Sequence, residues 1–194
     1  MPENDDDSQL IQRIAHGDEH ALACLMGRYK EPLFRFTYRY LGNESDSSVI
    51  TEEAFYRVYQ NAARYSPRAA VKTWIFSIAL NLCRDRLRRQ KKHRGNVSLN
   101  VPSDDRQGVT PLLESIDAGG ADPHQELQSS DAIRRINIAI QALPEKLRFP
   151  FVFCVLEEHA YDECAAILKT SRKTVETRIY RARKWLREKL ANLL

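Results

Sequence analysis

Two short apolar stripes near the C-terminus leave this chain little freedom in how it folds. Cys164, Ala165 and Leu168 recur at helical spacing, and so do Val175, Ile179, Ala182 and Leu186. Only the polar residues Lys169-Thr170-Ser171 separate them, and Ser171 is placed to cap the second helix. The spacing predicts a short helix over 161–168, a tight turn, and a longer helix from Arg172 to about Leu186: a helix-turn-helix. In such a motif the second helix enters the major groove and its first residues meet base edges. Ser171, Arg172, Lys173, Thr174, Glu176 and Thr177 stand there. Arginine and lysine suit guanine, and glutamate accepts from cytosine N4. Arg178, Arg181 and Arg183 suit phosphates. The bland alternative is a surface helix of an unrelated bundle.

Charge supports a polyanionic partner. The formal net charge is only +4, but it is segregated. From Arg84 to Arg94 seven Lys/Arg face one acid, Asp85, and from Lys169 to Lys189 nine face only Glu176 and Glu188. The N-terminus and the stretch from Asp104 to Glu126 are acidic. Two basic blocks with acidic spacers fit a polyanion touched at two places.

The rest of the chain reads as helices in two groups. Leu10, Ile11 and Ile14, then Ala21, Leu22, Leu25, Met26 and Tyr29, keep three-to-four spacing, with Asp18 as a cap. Pro32 is expected to restart the pattern, which Leu33, Phe34, Phe36, Tyr40 and Leu41 continue. Gly42-Asn43 signals a turn, and Ser45 to Ser48 offer caps for a helix holding Ala54, Phe55, Val58 and Tyr59. Ser66-Pro67 breaks it. Trp74, Ile75, Ile78, Ala79 and Leu82 lie inside the next helix, which runs into the basic block. Prolines and glycines between Gly95 and about Ala121 interrupt any period, as in a flexible linker. Helices resume near Pro123, and Leu143-Pro144-Glu145 resembles a helix start. The expected architecture is all-α: an acidic arm (1–7), a helical domain (8–94), a flexible acidic linker (95–122) and a helix-turn-helix domain (123–194).

Several chemistries are disfavoured. Cys24, Cys83, Cys154 and Cys164 form no C-x-x-C pair, and Cys24 and Cys164 sit among apolar neighbours as buried thiols do. Cys154, His159 and Cys164 are five apart, which does not put metal ligands on one helical face. No nucleophile-base spacing or phosphate loop appears, and His16, His20, His93, His124 and His159 are scattered. No signal peptide or membrane span is evident; the longest apolar run, Phe149 to Leu156, contains Pro150. A cytoplasmic binding protein is expected, with no cofactor, no metal and no enzymatic activity.

At these residues the chain resembles the extracytoplasmic-function (ECF) group of bacterial sigma-70 factors. Leu143-Pro144-Glu145-Lys146-Leu147-Arg148, Tyr161-Asp162-Glu163-Cys164-Ala165, Ser171 through Thr174-Val175, Arg178 and Arg181-Ala182-Arg183 are similar to that family's domain 4. Thr73 through Asn81, followed by Asp85-Arg86-Leu87-Arg88-Arg89, is similar to its domain 2. The resemblance implies that the first domain binds the β′ clamp coiled coil of RNA polymerase and opens the downstream (minus-ten) promoter element. The second then binds the upstream (minus-thirty-five) element near the β flap. Trapping an unstacked base needs a pocket with aromatic or polar walls. Tyr65, Lys72, Trp74 and Asn81 can offer one, although Trp74 also suits a core position. Arg84, Arg86, Arg88 and Arg89 suit the phosphates.

The chain departs from the family pattern in places. Pro150 falls inside a helix, so a kink or restart is expected. Glu158 stands where Gly is common, and Ala160 where a capping Ser is usual. The acidic cluster that faces polymerase reads here Asp46-Ser47-Ser48-Val49-Ile50-Thr51-Glu52-Glu53. Asp46, Ser48, Glu52 and Glu53 remain as polymerase-binding candidates on an under-charged face. A phosphate adds about 1.5–2 negative charges, so a hydroxyl here suits control by a Ser/Thr protein kinase. The chain resembles the kinase-regulated (EcfP-like) subgroup, which favours Thr51, then Ser48, then Ser47. These hydroxyls are equally natural as first-turn residues. The alternatives are a conventional ECF factor held by an anti-sigma protein, and a stand-alone helix-turn-helix regulator.

Overall fold

The computed structural model describes residues 6–67, 69–97 and 123–191, with side chains at 93–97 and 123–132 left out. The expected linker therefore lies outside the described residues, except for 95–97, which continue a helix. Every regular element among the described residues is helical.

Helix α1 (Asp7–Ala15) buries Leu10, Ile11 and Ile14, so the expected acidic arm is helical from Asp7. Helix α2 (Glu19–Leu41) begins where the Asp18 carboxylate accepts the Ala21 N–H at 3.1 Å and ends at Gly42, φ 71°. Pro32 does not restart it, contrary to expectation. A proline removes one hydrogen bond, but Ala21 and Leu25 before it and Leu33, Phe36 and Tyr40 after it are all buried, and their packing keeps the helix whole.

Helix α3 (Glu44–Asn61) is capped by Asn43, whose Oδ1 accepts the Asp46 N–H at 2.8 Å, rather than by Ser45 to Ser48. A 3-10 turn (Ala62–Arg64) leads to α4 (Val71–Val97). Beyond the undescribed stretch come α5 (Pro123–Ala142) and α6 (Glu145–Phe151), with Pro144 as the cap of α6 and not its first residue. Past Pro150 the chain widens into a π-helical stretch (Val152–Leu156), in which the Glu157 N–H reaches the Val152 carbonyl at 3.0 Å. Helices α7 (Tyr161–Leu168) and α8 (Arg172–Ala191) complete the chain. Cys24 is half-buried, and Cys83, Cys154 and Cys164 are buried. No helix of the described residues is long and apolar enough to cross a membrane.

The two groups of helices share one core. Phe36 (α2) and Phe76 (α4) meet Phe149 (α6) and Phe153 (π stretch), all four fully buried. Ring centroids lie 5.7 Å apart for Phe36–Phe149, 6.2 Å for Phe36–Phe153 and 5.3 Å for Phe76–Phe153. Each such pair adds about 0.5–1.5 kcal/mol beyond its area. Ion pairs rim this seam: Arg39–Glu157 at 2.9 Å, Lys72–Glu163 at 3.0 Å and Arg84–Glu145 at 2.9 Å. Arg148 lies over the Tyr40 ring at 5.4 Å and donates to the carbonyls of Gln141 and Leu143.

Candidate nucleic-acid interface

Helices α7 and α8 form the expected helix-turn-helix. The chain leaves α7 through Lys169 in the left-handed region (φ 50°), and Ser171 Oγ accepts the Thr174 N–H at 3.2 Å to start α8. Val175, Ile179, Ala182 and Leu186 face inward, so Arg172, Lys173, Glu176, Thr177 and Arg181 are turned outward. Arg172 is already engaged: it pairs with Glu176 at 3.2 Å and Asp162 of α7 at 3.0 Å. Those bonds, that to Glu176 foremost, raise its pKa above the ordinary arginine value. Thr177 donates its hydroxyl to the Lys173 carbonyl at 2.9 Å, and Ser171 and Thr174 share a hydroxyl contact. Lys173 and Arg181 are the more open cations of this face. Half-buried Arg178 instead lines a cleft against α4.

The seven downstream candidates separate into three sets. Trp74 and Asn81 meet in a hollow of about 340 Å3, and the Tyr65 ring lies 5.0 Å from Trp74. Trp74 is half-buried, serving both core and hollow. Lys72 and Arg84 face the seam and hold Glu163 and Glu145. Arg88 and Arg89 are exposed farther along α4, with Arg88 3.1 Å from Asp85. Sequence reasoning missed the opposite wall of the hollow, made by Arg57, Asn61 and Arg64. Their four-then-three spacing repeats that of Trp74, Ile78 and Asn81, and two such stripes on consecutive helices are the signal that would have found them.

The α3 face is further short of acid than its sequence suggests. Asp46 is turned to α4, where Arg86 and Gln90 bond both its oxygens. Glu53 pairs with Arg57 at 2.8 Å, which leaves Glu52 exposed and without an ion pair among the described residues. Val49 is 62% exposed, and Tyr56 and Tyr59 are exposed beside it. Thr51 is only 2% exposed, and its hydroxyl donates to the Ser47 carbonyl at 2.8 Å. Ser47 is buried and bonded to the Asn43 carbonyl. Of the three hydroxyls expected to take a phosphate, Ser48 alone stands at the surface, so burial reverses the preference for Thr51.

The helix-turn-helix, on a chain whose described elements are all helical, puts the protein in the class of helical DNA-binding proteins, and a polar-aromatic hollow lies on its other half. Comparison with known proteins gives the class its family. Residues 25–93 match Sigma-70 region 2, and residues 133–186 match Sigma-70, region 4. The chain is 32% identical to the ECF RNA polymerase sigma factor SigW of Bacillus subtilis over 94% of its own length and 96% of that protein's. It is 27% identical to the ECF RNA polymerase sigma-E factor of Haemophilus influenzae over the whole of both. Its fold is similar to that of CnrH, solved in complex with the cytosolic domain of CnrY (TM-score 0.69, 21% identity, 97% of this chain and 99% of that one). It is also similar to that of the sigma factor RpoE of Bartonella quintana, solved with the anti-sigma factor NepR (TM-score 0.63, 15% identity, 86% and 94%). The chain belongs to the ECF group of the sigma-70 family of RNA polymerase sigma factors.

Proposed function

We propose that this chain directs core RNA polymerase in the cytoplasm to a set of promoters by reading them at two points. The module over 8–94 binds the downstream element, the module over 123–194 binds the upstream one, and 95–122 links them. The observation that carries the reading is the hollow of Arg57, Asn61, Arg64, Trp74 and Asn81: cations for the strand, an aromatic face for a base, amides for its edge. Lys173 and Arg181 of α8 supply upstream contacts, with Arg172 oriented by Asp162. The α3 face of Val49, Glu52 and Tyr56 suits a polymerase surface that is basic and partly apolar, as the β′ coiled coil is expected to be.

Run-off transcription with purified core polymerase tests this. The wild type is expected to start at defined promoters. Trp74→Ala loses a stacking surface of about 1–3 kcal/mol, so promoter opening falls roughly tenfold or more while duplex binding by α8 persists. If core plus this chain starts nowhere specifically, or the chain protects a palindromic site without polymerase, the stand-alone regulator is the better reading.

Two readings of its control remain in play. With Asp46 withdrawn toward Arg86, a phosphate on exposed Ser48 would restore charge where it is missing. The exposed apolar residues of α3 support the other reading, an anti-sigma partner covering that face. Polymerase pull-down separates them. Unmodified protein and Ser48→Ala that both bind core fully end kinase control, whereas binding gained only by Ser48→Glu supports it.

A further inference from the structure

A second cleft lies beside the hollow and shares Asn81 with it. It lies in the seam between α4 and α6–α8 and holds about 520 Å3, within the range of small-ligand pockets. Arg84, Lys146, Lys169 and Arg178 reach it from α4, α6, the α7–α8 turn and α8. Against these four cations stands one carboxylate, Glu145, 2.9 Å from Arg84. Lys146, Lys169 and Arg178 have no carboxylate partner among the described residues. Lys169 holds its place with a left-handed backbone, where a glycine is the usual choice. Like charges gathered from four elements repel one another, and a concave wall focuses their field on whatever anion enters. Half-buried Ile167 and Leu168, buried Leu80 and Phe149 and the amide of Asn81 also line it.

We propose that this cleft binds a small molecule carrying two or more phosphates. Three uncompensated cations match a chain of phosphates better than a single carboxylate, and the two arginines offer forked donors that suit phosphate oxygens. The apolar and amide part of the wall leaves room for a base, so a nucleoside polyphosphate or inorganic polyphosphate can supply the shared chemistry. A ligand there ties α4 to α6 and α8, and so stabilises the closed seam. The inference rests on the cleft alone and does not require the promoter reading.

Equilibrium dialysis and calorimetry on the full chain in 150 mM salt, with ATP, GTP and inorganic tripolyphosphate as probes, test it without polymerase or DNA. Saturable one-to-one binding is expected, together with a rise in Tm that grows with probe concentration. Lys146→Glu combined with Lys169→Glu is expected to weaken binding about 100-fold, roughly tenfold for each charge-assisted contact. Arg187→Glu, exposed on α8 and outside the cleft, is expected to leave binding within about twofold. Equal affinity for all three probes means that the phosphates alone are recognised, and tighter nucleotide binding means that the base is seated as well. Absence of binding at millimolar probe overturns the proposal, and so does equal weakening by Arg187→Glu, which marks diffuse attraction to a basic surface. The unliganded melting curve of each variant shows that it folds.

Discussion

Gly42 and Glu158 share an unusual backbone and call for opposite substitutions. Both lie in the left-handed region, at φ 71° and φ 56°. A side chain there costs roughly 1–2 kcal/mol, which Gly42 avoids and Glu158 bears. Gly42→Ala is expected to lower unfolding free energy by about that amount. It also displaces the Gln141 amide, whose Nε2 lies 1.6 Å from where the new Cβ falls. Glu158→Gly is expected to raise it by about 1 kcal/mol. Two residues on, Ala160 begins α7 with no side-chain acceptor, so Ala160→Ser is expected to add about 1 kcal/mol. Urea titration of the three variants checks the signs; a Glu158→Gly variant no more stable than wild type shows that the left-handed turn is not retained in solution. The Glu158 and Ala160 substitutions, in the turn that leads into α7, were legible in sequence, because a Gly and a capping Ser are what the family pattern puts there. Thr51 was misread although its signal was present. Extending the stripe of Ala54, Phe55 and Val58 backward by threes and fours reaches Ile50, Thr51 and Ser47, the residues that α3 buries. Their hydroxyls escape the cost of burial by bonding carbonyls four residues back.

At the scale of elements the two prolines are instructive, because a disturbance at Pro150 was visible in the sequence while the form it took, and the survival of α2 through Pro32, were not. Pro32 leaves α2 intact and Pro150 precedes a widened turn. The difference lies in what flanks them, and packing partners distant in sequence do not show in local periodicity. The π stretch delivers Glu157 to α2, where the carboxylate is 3% exposed and lies 2.9 Å from Arg39 and 3.5 Å from Arg35. Burial pushes its pKa up, and the two arginines oppose that. Its partners are far more exposed, so the pair is unequal. Arg39→Met leaves the buried carboxylate with Arg35 alone, at 3.5 Å, and removes a donor to the Leu156 carbonyl, and is expected to cost about 2 kcal/mol. Glu157→Gln leaves only solvated cations behind and is expected to cost about 1 kcal/mol or less. The Arg39→Met deficit is expected to shrink as the medium is acidified, because burial already favours the protonated form of Glu157 and the lost arginine no longer opposes it. Equal losses in the two variants would show that Glu157 is not buried in solution.

The whole molecule was the least legible scale. Segregated charge suggested two separate basic surfaces, and the two family regions matched lie on the two halves of the chain, yet nothing in the sequence joined those halves. Phe36, Phe76, Phe149 and Phe153 each sit on an ordinary helical stripe, and only the fold stacks them into one seam. His159 lies in that seam, its ring 4.2 Å from Phe153 and 5.0 Å from Phe76, with Glu163 4.0 Å away. Burial lowers its pKa to about 4; Lys72 and Arg35 push the same way and Glu163 opposes them. An unfolded histidine titrates near 6.5. Because the folded pKa is the lower one, the neutral ring contributes stability that is complete above about pH 6.5 and is lost as pH falls toward about 4. The full loss is of order 3 kcal/mol, and about 1.4 kcal/mol of it is reached by pH 5.5. Unfolding free energies of wild type and His159→Gln, taken from pH 7.5 to pH 5, isolate this contribution, since carboxylates common to both cancel. The wild-type curve is expected to fall below the variant's trend as the medium acidifies. With the fold's closure resting on that seam, small-angle scattering should show the wild type expanding at a higher pH than His159→Gln. A constant difference between the two stability curves would mean that His159 meets solvent, and hence that the halves stand apart in solution.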